Sequence, residues 1–268
     1  MELRYYFSLK SVFVCREKDY LCINRTEQQM KKLVIIPTYN ERENIEAMIE
    51  KVMSLAGGFD LLVVDDGSPD GTAEVVESYR QAYSGRIHLI RRAGKLGLGT
   101  AYLTGFEWGL KEGYDYLAEM DCDFSHNPDD LERLVSAAEG GADVVVGSRY
   151  VKGVNVVNWP MSRLLLSYFA SKYVRIVTGM PIHDATAGFV CYRRTALEQI
   201  LKNEIEMKGY GFQIEMKYTA WRLGLKLHEE SIIFTERREG ASKMSGGIFG
   251  EALFGVMKLR FKKLKVEN

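Results

Sequence analysis

Cysteine is scarce and ungrouped in this chain of 268 residues. The four present, Cys15, Cys22, Cys122 and Cys191, have neither zinc-ligand spacing nor the density of a disulfide scaffold. A reducing cytoplasm suits them best. Net charge is missing as well: Lys plus Arg and Asp plus Glu both number 36, so no global basic field points to nucleic acid and any basic patch is local. Long apolar runs are absent, none reaching the roughly 18 residues of a membrane-spanning helix. The first 29 residues do not read as a signal peptide, because Lys10 and the run Arg16–Asp19 interrupt any apolar core. There is no internal repeat and no low-complexity linker. What the chain does have is 46% hydrophobic residues, enough for one large domain or two small ones with a real core.

Residues 1–29 carry no usable turn-and-period pattern and are expected to lie outside the fold as an upstream extension. A short N-terminal helix or a membrane-touching arm is the alternative. From Lys31 the pattern alternates. "KLVIIP" reads as a short apolar strand, followed by a helical period that places Ile45, Met48, Ile49, Val52 and Met53 on one face until Gly57–Gly58. "FDLLVVDD", "RIHLIRR", "YDYLAEM" and "ADVVVGSRY" read as further strands, each preceded by a helical stretch. Strict alternation predicts a mainly parallel α/β sheet covered on both faces.

Ligands of such sheets bind beyond the carboxyl ends of the strands. The chemistry-bearing residues collect there: Pro37–Glu41, Asp65–Ser68, Asp121–Asp123 and Gly147–Arg149. Any one cluster reads equally well as a turn with a helix cap; the four together point to one shared site. Asp121 and Asp123 repel each other unless something neutralises them. A divalent cation does so and adds positive charge for a diphosphate, and hard oxygen donors without nearby His or Cys favour Mg²⁺ or Mn²⁺ over zinc. A D-x-D alone is a weak signal; its position after a strand strengthens it.

Taken in order, "VIIPTYNERENI", "VVDDGSPDGT", "GLGTAYLTGF", "DCDFSHNP", "VVGSRY" and "ERREGASKM" resemble the polyprenyl- (dolichyl-) phosphate mannose synthases, family-2 glycosyltransferases with the GT-A fold. The resemblance runs from about Lys31 to Phe254. It implies a GT-A domain over 30–245, with 246–268 as an amphipathic basic C-terminal segment. By the same resemblance Pro37, Tyr39 and Glu41 hold the guanine nucleoside, and Val64 and Asp66 face the base and ribose. Asp121 and Asp123 hold metal and diphosphate, with Cys122 between them contributing its backbone. Ser125 stands where a metal-side Gln is common, and Cys122 where a small residue such as Ala is usual. Arg149 matches a phosphate-binding arginine, whose planar fork suits that task. Arg237 and Lys243 match a loop that closes on the donor diphosphate, with Glu236 in place of the family's Asp. Asp184 matches an acceptor-side aspartate, and three roles stay open for it: orienting mannose hydroxyls, acting as a residual base, or capping a turn. Gln213 and Glu215 fall on a helix expected to pack under the site.

The implied reaction transfers mannose from GDP-mannose to a polyprenyl phosphate with inversion. Transfer of glucose from UDP-glucose, a non-catalytic sugar-nucleotide binder and a nucleotidyl transferase are the competing readings. "SRLLLSYFASKYVRIV", Ser162–Val177, is too short and too charged to span a bilayer and suits a helix lying in the interface. Lys258, Arg260, Lys262, Lys263 and Lys265 follow in the C-terminal segment. Each contributes about 1 kcal/mol near an anionic leaflet, which predicts peripheral attachment to the cytoplasmic membrane surface. The plainer alternative packs both segments on the sheet and leaves the tail merely solubilising.

Overall fold

A computed structural model describes the backbone of residues 6–8 and 11–13, and residues 30–207, 209–236 and 255–265. The chain divides into two compact units, Met1–Met30 and Lys31–Asn268. In the first, β1 (Tyr6–Ser8) pairs antiparallel with β2 (Ser11–Phe13), a short hairpin where the sequence offered no pattern.

The second unit opens with β3 (Lys32–Thr38), α1 (Arg42–Met53), β4 (Phe59–Asp65), α2 (Thr72–Ala82), β5 (Ile87–Arg91), α3 (Leu98–Lys111), β6 (Tyr116–Glu119), α4 (Asp130–Glu139) and β7 (Val144–Ser148). Every strand and helix of this run was expected from the alternation. There follow β8 (Val156–Val157), α5 (Met161–Thr178), β9 (Val190–Arg193), α6 (Arg194–Leu201), α7 (Tyr210–Arg222), β10 (Leu227–Ser231) and β11 (Phe234–Thr235). Residues 255–259 are helical. The central sheet has the order β10-β7-β9-β6-β3-β4-β5 and is parallel except for β9, which runs antiparallel between β6 and β7. The predicted mostly parallel α/β architecture stands.

Strand residues alternate between two buried layers. Val34, Ile36, Leu61 and Val63 pack with α1, α2 and α4, while Leu33, Ile35, Leu62 and Val64 pack with α3, α6 and α7. Both faces are covered, so the strands read as continuous apolar runs. The glycines of α3 have a steric reason: a Cβ on Gly105 would lie 2.5 Å from Ile35, and one on Gly109 2.5 Å from Leu117. They let the helix axis settle close to the sheet. A third cluster joins Val174 of α5, Ile214 and Tyr218 of α7, and Val256 and Leu259. The helical residues 255–259 therefore pack within the second unit.

Candidate active site

The carboxyl ends of β3, β4, β6 and β7 emerge on one edge of the sheet, as the parallel directions require. Pro37 sits opposite Val64 in the β3–β4 register, so these two expected contacts of the nucleoside are direct neighbours. β6 pairs with β3 only as far as Ile35 opposite Glu119, leaving Pro37 beyond the last ladder position, where a missing N–H matters little. The two loops that follow are stitched together. The Ser68 hydroxyl accepts from the Asn40 N–H at 3.0 Å, and the Thr72 hydroxyl from the Glu41 N–H at 3.1 Å. The paired aspartates divide their work. Asp65 accepts from the Thr38 hydroxyl at 2.9 Å and from the Ser68 N–H at 2.9 Å, so it builds the turn. Asp66 forms a buried ion pair at 2.6 Å with Arg92, which also donates to Thr100. Lys95, in the loop after β5, lies 5.1 Å over the Tyr39 ring. Neither Arg92 nor Lys95 was singled out from the sequence, because a cation just after a strand looks like an ordinary surface residue.

After β6 the chain makes a tight turn through Asp121, Cys122 and Asp123. Phe124 adopts φ 57°, a left-handed conformation that is strained for a bulky side chain. Asp123 is 5% exposed and accepts from the Ser125 N–H at 3.1 Å. Cys122 is buried. The Ser125 hydroxyl is buried and has no hydrogen-bond partner. Among the described residues no group of three His, Cys, Asp or Glu side chains gathers as a metal cage. Mg²⁺ does not need one: it is commonly held by one or two carboxylates plus substrate phosphates. Two carboxylates and an unsatisfied hydroxyl, all oxygen donors, fit that pattern. His126 is buried between Phe189, at 5.0 Å between ring centroids, and Phe234, at 5.1 Å. Burial pushes its pKa down to about 4, leaving the imidazole neutral.

At the end of β7 the Arg149 guanidinium grips Asp184. Its Nε donates to Oδ2 at 2.7 Å and its Nη2 to Oδ1 at 2.6 Å, while the Arg149 backbone N–H adds a bond of 2.9 Å. Nη2 also donates to the Thr186 hydroxyl at 3.0 Å. The rings of Tyr150, Trp159 and Phe234 lie 5.2, 5.5 and 5.6 Å from the guanidinium carbon. Phe234 thus touches both the His126 side of the D-x-D turn and Arg149, and the Thr235 N–H donates to the Ser125 carbonyl at 3.1 Å. Asp184 is fully buried. Burial works to raise its pKa, but the Arg149 charge and bonds outweigh that and hold the carboxyl below its usual value. A carboxylate so held is a poor base, and among the roles left open for Asp184 the geometry favours positioning. Glu236 binds Arg163 of α5 at 2.5 Å, fixing the start of the segment that carries Arg237. Arg237 and Lys243 themselves lie outside the described residues.

Beneath this edge Gln213 of α7 donates from Nε2 to Glu119, and Lys217 donates to the Ala187 carbonyl at 2.7 Å and the Gln213 carbonyl at 3.0 Å. Glu119 and Lys217 are both fully buried. Burial raises the carboxyl pKa and lowers the ammonium pKa. Glu215 faces elsewhere: it accepts from the N–H groups of Glu206 and Met207 and pairs with Lys262.

Residues 33–201 match Glycosyl transferase family 2. The chain belongs to that family. It is 49% identical over 226 residues to the polyprenol monophosphomannose synthase of Mycolicibacterium smegmatis, covering 84% of this chain and 85% of that one. It is 48% identical over 227 residues to the undecaprenyl-phosphate mannosyltransferase of Micrococcus luteus, covering 85% and 93%. Its fold is similar to that of glucosyl-3-phosphoglycerate synthase from Mycobacterium tuberculosis, solved with Mn²⁺, uridine-diphosphate-glucose and phosphoglyceric acid. That likeness has a TM-score of 0.64 at 18% identity, covering 89% of this chain and 81% of the other. The family-2 chain is a glycosyltransferase, as the ordered motifs implied.

Proposed function

We propose that this glycosyltransferase moves mannose from GDP-mannose to a polyprenyl phosphate, with inversion at the anomeric carbon. The observation that carries the proposal is the juxtaposition, through Phe234 and Thr235, of the Asp121–Asp123 turn with an arginine locked by a buried carboxylate. The names of the two mannosyltransferase relatives support the acceptor class and the sugar. Pro37, Tyr39, Glu41, Val64 and Asp66 line the donor side, with Asp66 steadied by Arg92. Asp121 and Asp123, with Ser125 beside them, would hold Mg²⁺ or Mn²⁺, which when bound neutralises the diphosphate and stabilises it as a leaving group. An acceptor phosphate oxygen forms the new bond to the anomeric carbon while the bond to the β-phosphate oxygen breaks and its electron pair leaves with GDP. The acceptor is already ionised, its second pKa being near ~6, so no strong general base is needed. Arg149 holds the acceptor phosphate in line, in a plane fixed by Asp184.

Membrane contact fits α5. Met161, Leu165, Phe169 and Ile176 form an outward apolar stripe, from 47% to 70% exposed, interrupted by Lys172 and bordered by Arg175. No helix among the described residues is long and apolar enough to cross a membrane. Phe261 is 81% exposed, whereas Lys262 turns inward onto Glu215 and leaves Lys258, Lys263 and Lys265 facing out. We assign peripheral attachment mainly to the α5 stripe, with the tail cations assisting.

Radiolabelled GDP-mannose and UDP-glucose offered with polyprenyl phosphate test the chemistry. Labelled lipid is expected from GDP-mannose alone, and transfer only from UDP-glucose would replace the donor assignment. Sedimentation with anionic liposomes tests the surface: Leu165→Ser with Phe169→Ser should stay in the supernatant, and unchanged pelleting would remove α5 as the contact.

A further inference from the structure

The arginine–aspartate pair at the end of β7 rests on a turn, Asp184–Ala187, that has no regular secondary structure of its own. Something else must fix it, because a guanidinium is aimed only as well as the carboxylate that grips it. Two charged side chains from different elements do so, one at each end. At the leading end Glu229 of β10, its side chain 6% exposed, accepts from the His183 N–H at 2.8 Å through Oε2, which also lies 2.7 Å from the His183 Nδ1, and from the Asp184 N–H at 3.0 Å through Oε1. At the trailing end Lys217 of α7, fully buried, donates to the Ala187 carbonyl at 2.7 Å. A buried lone ammonium is costly and an apolar side chain would fill the space more cheaply. The counter-charge, Glu119 of β6, is reached through the Gln213 side chain. The sheet edge, the helix beneath and the strand that leads into the D-x-D turn all take part in holding one turn.

We propose that Glu229 and Lys217 are positioning residues for the transfer reaction, clamping the two ends of the Asp184–Ala187 turn so that Asp184 presents the Arg149 guanidinium to the acceptor phosphate. This rests on the reading of Arg149 as the group that handles that phosphate. Glu229 is suited to its part because a carboxylate offers two acceptors to two successive N–H groups; an amide offers one acceptor and one donor. Lys217 is suited because its ammonium reaches the turn from the middle of α7 while Gln213, one turn earlier, ties the same helix to β6.

The test is a double-mutant cycle measured on the full chain with polyprenyl phosphate and GDP-mannose. Glu229→Gln puts an NH₂ against a backbone N–H, and Lys217→Met removes the donor to Ala187 at similar volume. Each is expected to lower kcat/KM about tenfold, as loss of an outer supporting partner does. The loss should appear as a raised KM for the acceptor, with donor affinity by calorimetry unchanged. In an Arg149→Ala background the same substitutions should cause no further loss, because the group they aim is gone. Equal losses in both backgrounds would overturn the proposal, since general damage to the fold adds whether or not Arg149 is present. Full activity of Glu229→Gln and Lys217→Met, with Arg149→Ala impaired, would also overturn it while leaving the role of Arg149 intact. Full activity of Arg149→Ala would instead remove the parent reading and this one with it. If circular dichroism shows Lys217→Met unfolded, the Glu229→Gln arm decides alone.

Discussion

The donor side and the Arg149 side of this site are built differently. On the donor side, residues act over short chain distances or between adjacent segments: Asp65 binds Ser68, Asp123 accepts from Ser125, and the Asn40 and Glu41 N–H groups reach Ser68 in the next loop and Thr72 at the start of α2. Around Arg149 the partners come from far along the chain: Asp184 from a turn after α5, Glu229 from the edge strand, Lys217 from α7 and Phe234 from β11. The first arrangement is set by turn chemistry and strand ends. The second exists only when β9, α7 and β10 have docked. A substitution on the donor side should therefore act mainly on chemistry or binding, and one around Arg149 on both chemistry and stability.

The largest effect tests the donor side. Asp123→Ala is expected to lower turnover by at least about a thousandfold, the scale seen when a group stabilising developing charge is removed. Its melting temperature should stay near that of the parent. Metal-independent full turnover by this variant, measured with EDTA present, would break the assignment of the D-x-D turn.

Asp184→Asn probes the other side. It leaves the buried Arg149 without its counter-charge, a loss of about 3–5 kcal/mol for a broken buried pair, to be read from chemical denaturation. Activity should fall together with stability. A fully stable but inactive variant would mean that Asp184 acts on substrate directly rather than through Arg149.

Arg92→Met sharpens the donor side further. Asp66 then loses its buried partner, and we expect the KM for the nucleotide sugar to rise about tenfold, an outer-partner effect, with kcat little changed. A change confined to kcat would move Asp66 from nucleotide binding towards the reacting atoms.

The pH dependence follows from the lowered pKa of Asp184. A carboxyl whose folded-state pKa lies below its unfolded value stabilises the fold above that unfolded value, near ~3.9, and loses the contribution as pH falls through the folded one. The gap in melting temperature between the parent and Asp184→Asn should hold steady from neutral pH down to about 4 and close below it. Closure at higher pH would show that another group holds the turn.

Ser68→Ala should give the smallest change. It removes hydrogen bonds to Asp65 and Asn40 in a partly exposed turn, about 1 kcal/mol of stability by urea unfolding, and leaves kcat near the parent value. A large loss of activity would show that the turn geometry is transmitted to the bound donor.

Much of this molecule is determined by local sequence. The run from Lys32 to Ser148 alternates apolar strands and amphipathic helices with the right periods, so its elements and the position of Asp66, Asp121, Asp123 and Arg149 at strand ends could be read from residue order. Parallel strands force those ends onto one edge whatever the loops do. The antiparallel β9 could not be read in the same way: "FVCYR" is a short apolar run whose direction depends on which neighbours it meets. Nor could the role of Asp184, which lies 35 residues from Arg149 and whose meaning changes from base to clamp only on seeing both carboxylate oxygens engaged. Glu119, Lys217 and Glu229 look like ordinary charges on a strand or a helix. Only tertiary packing buries them and turns them into partners, because desolvation makes a charge costly unless another chain segment supplies its hydrogen bonds.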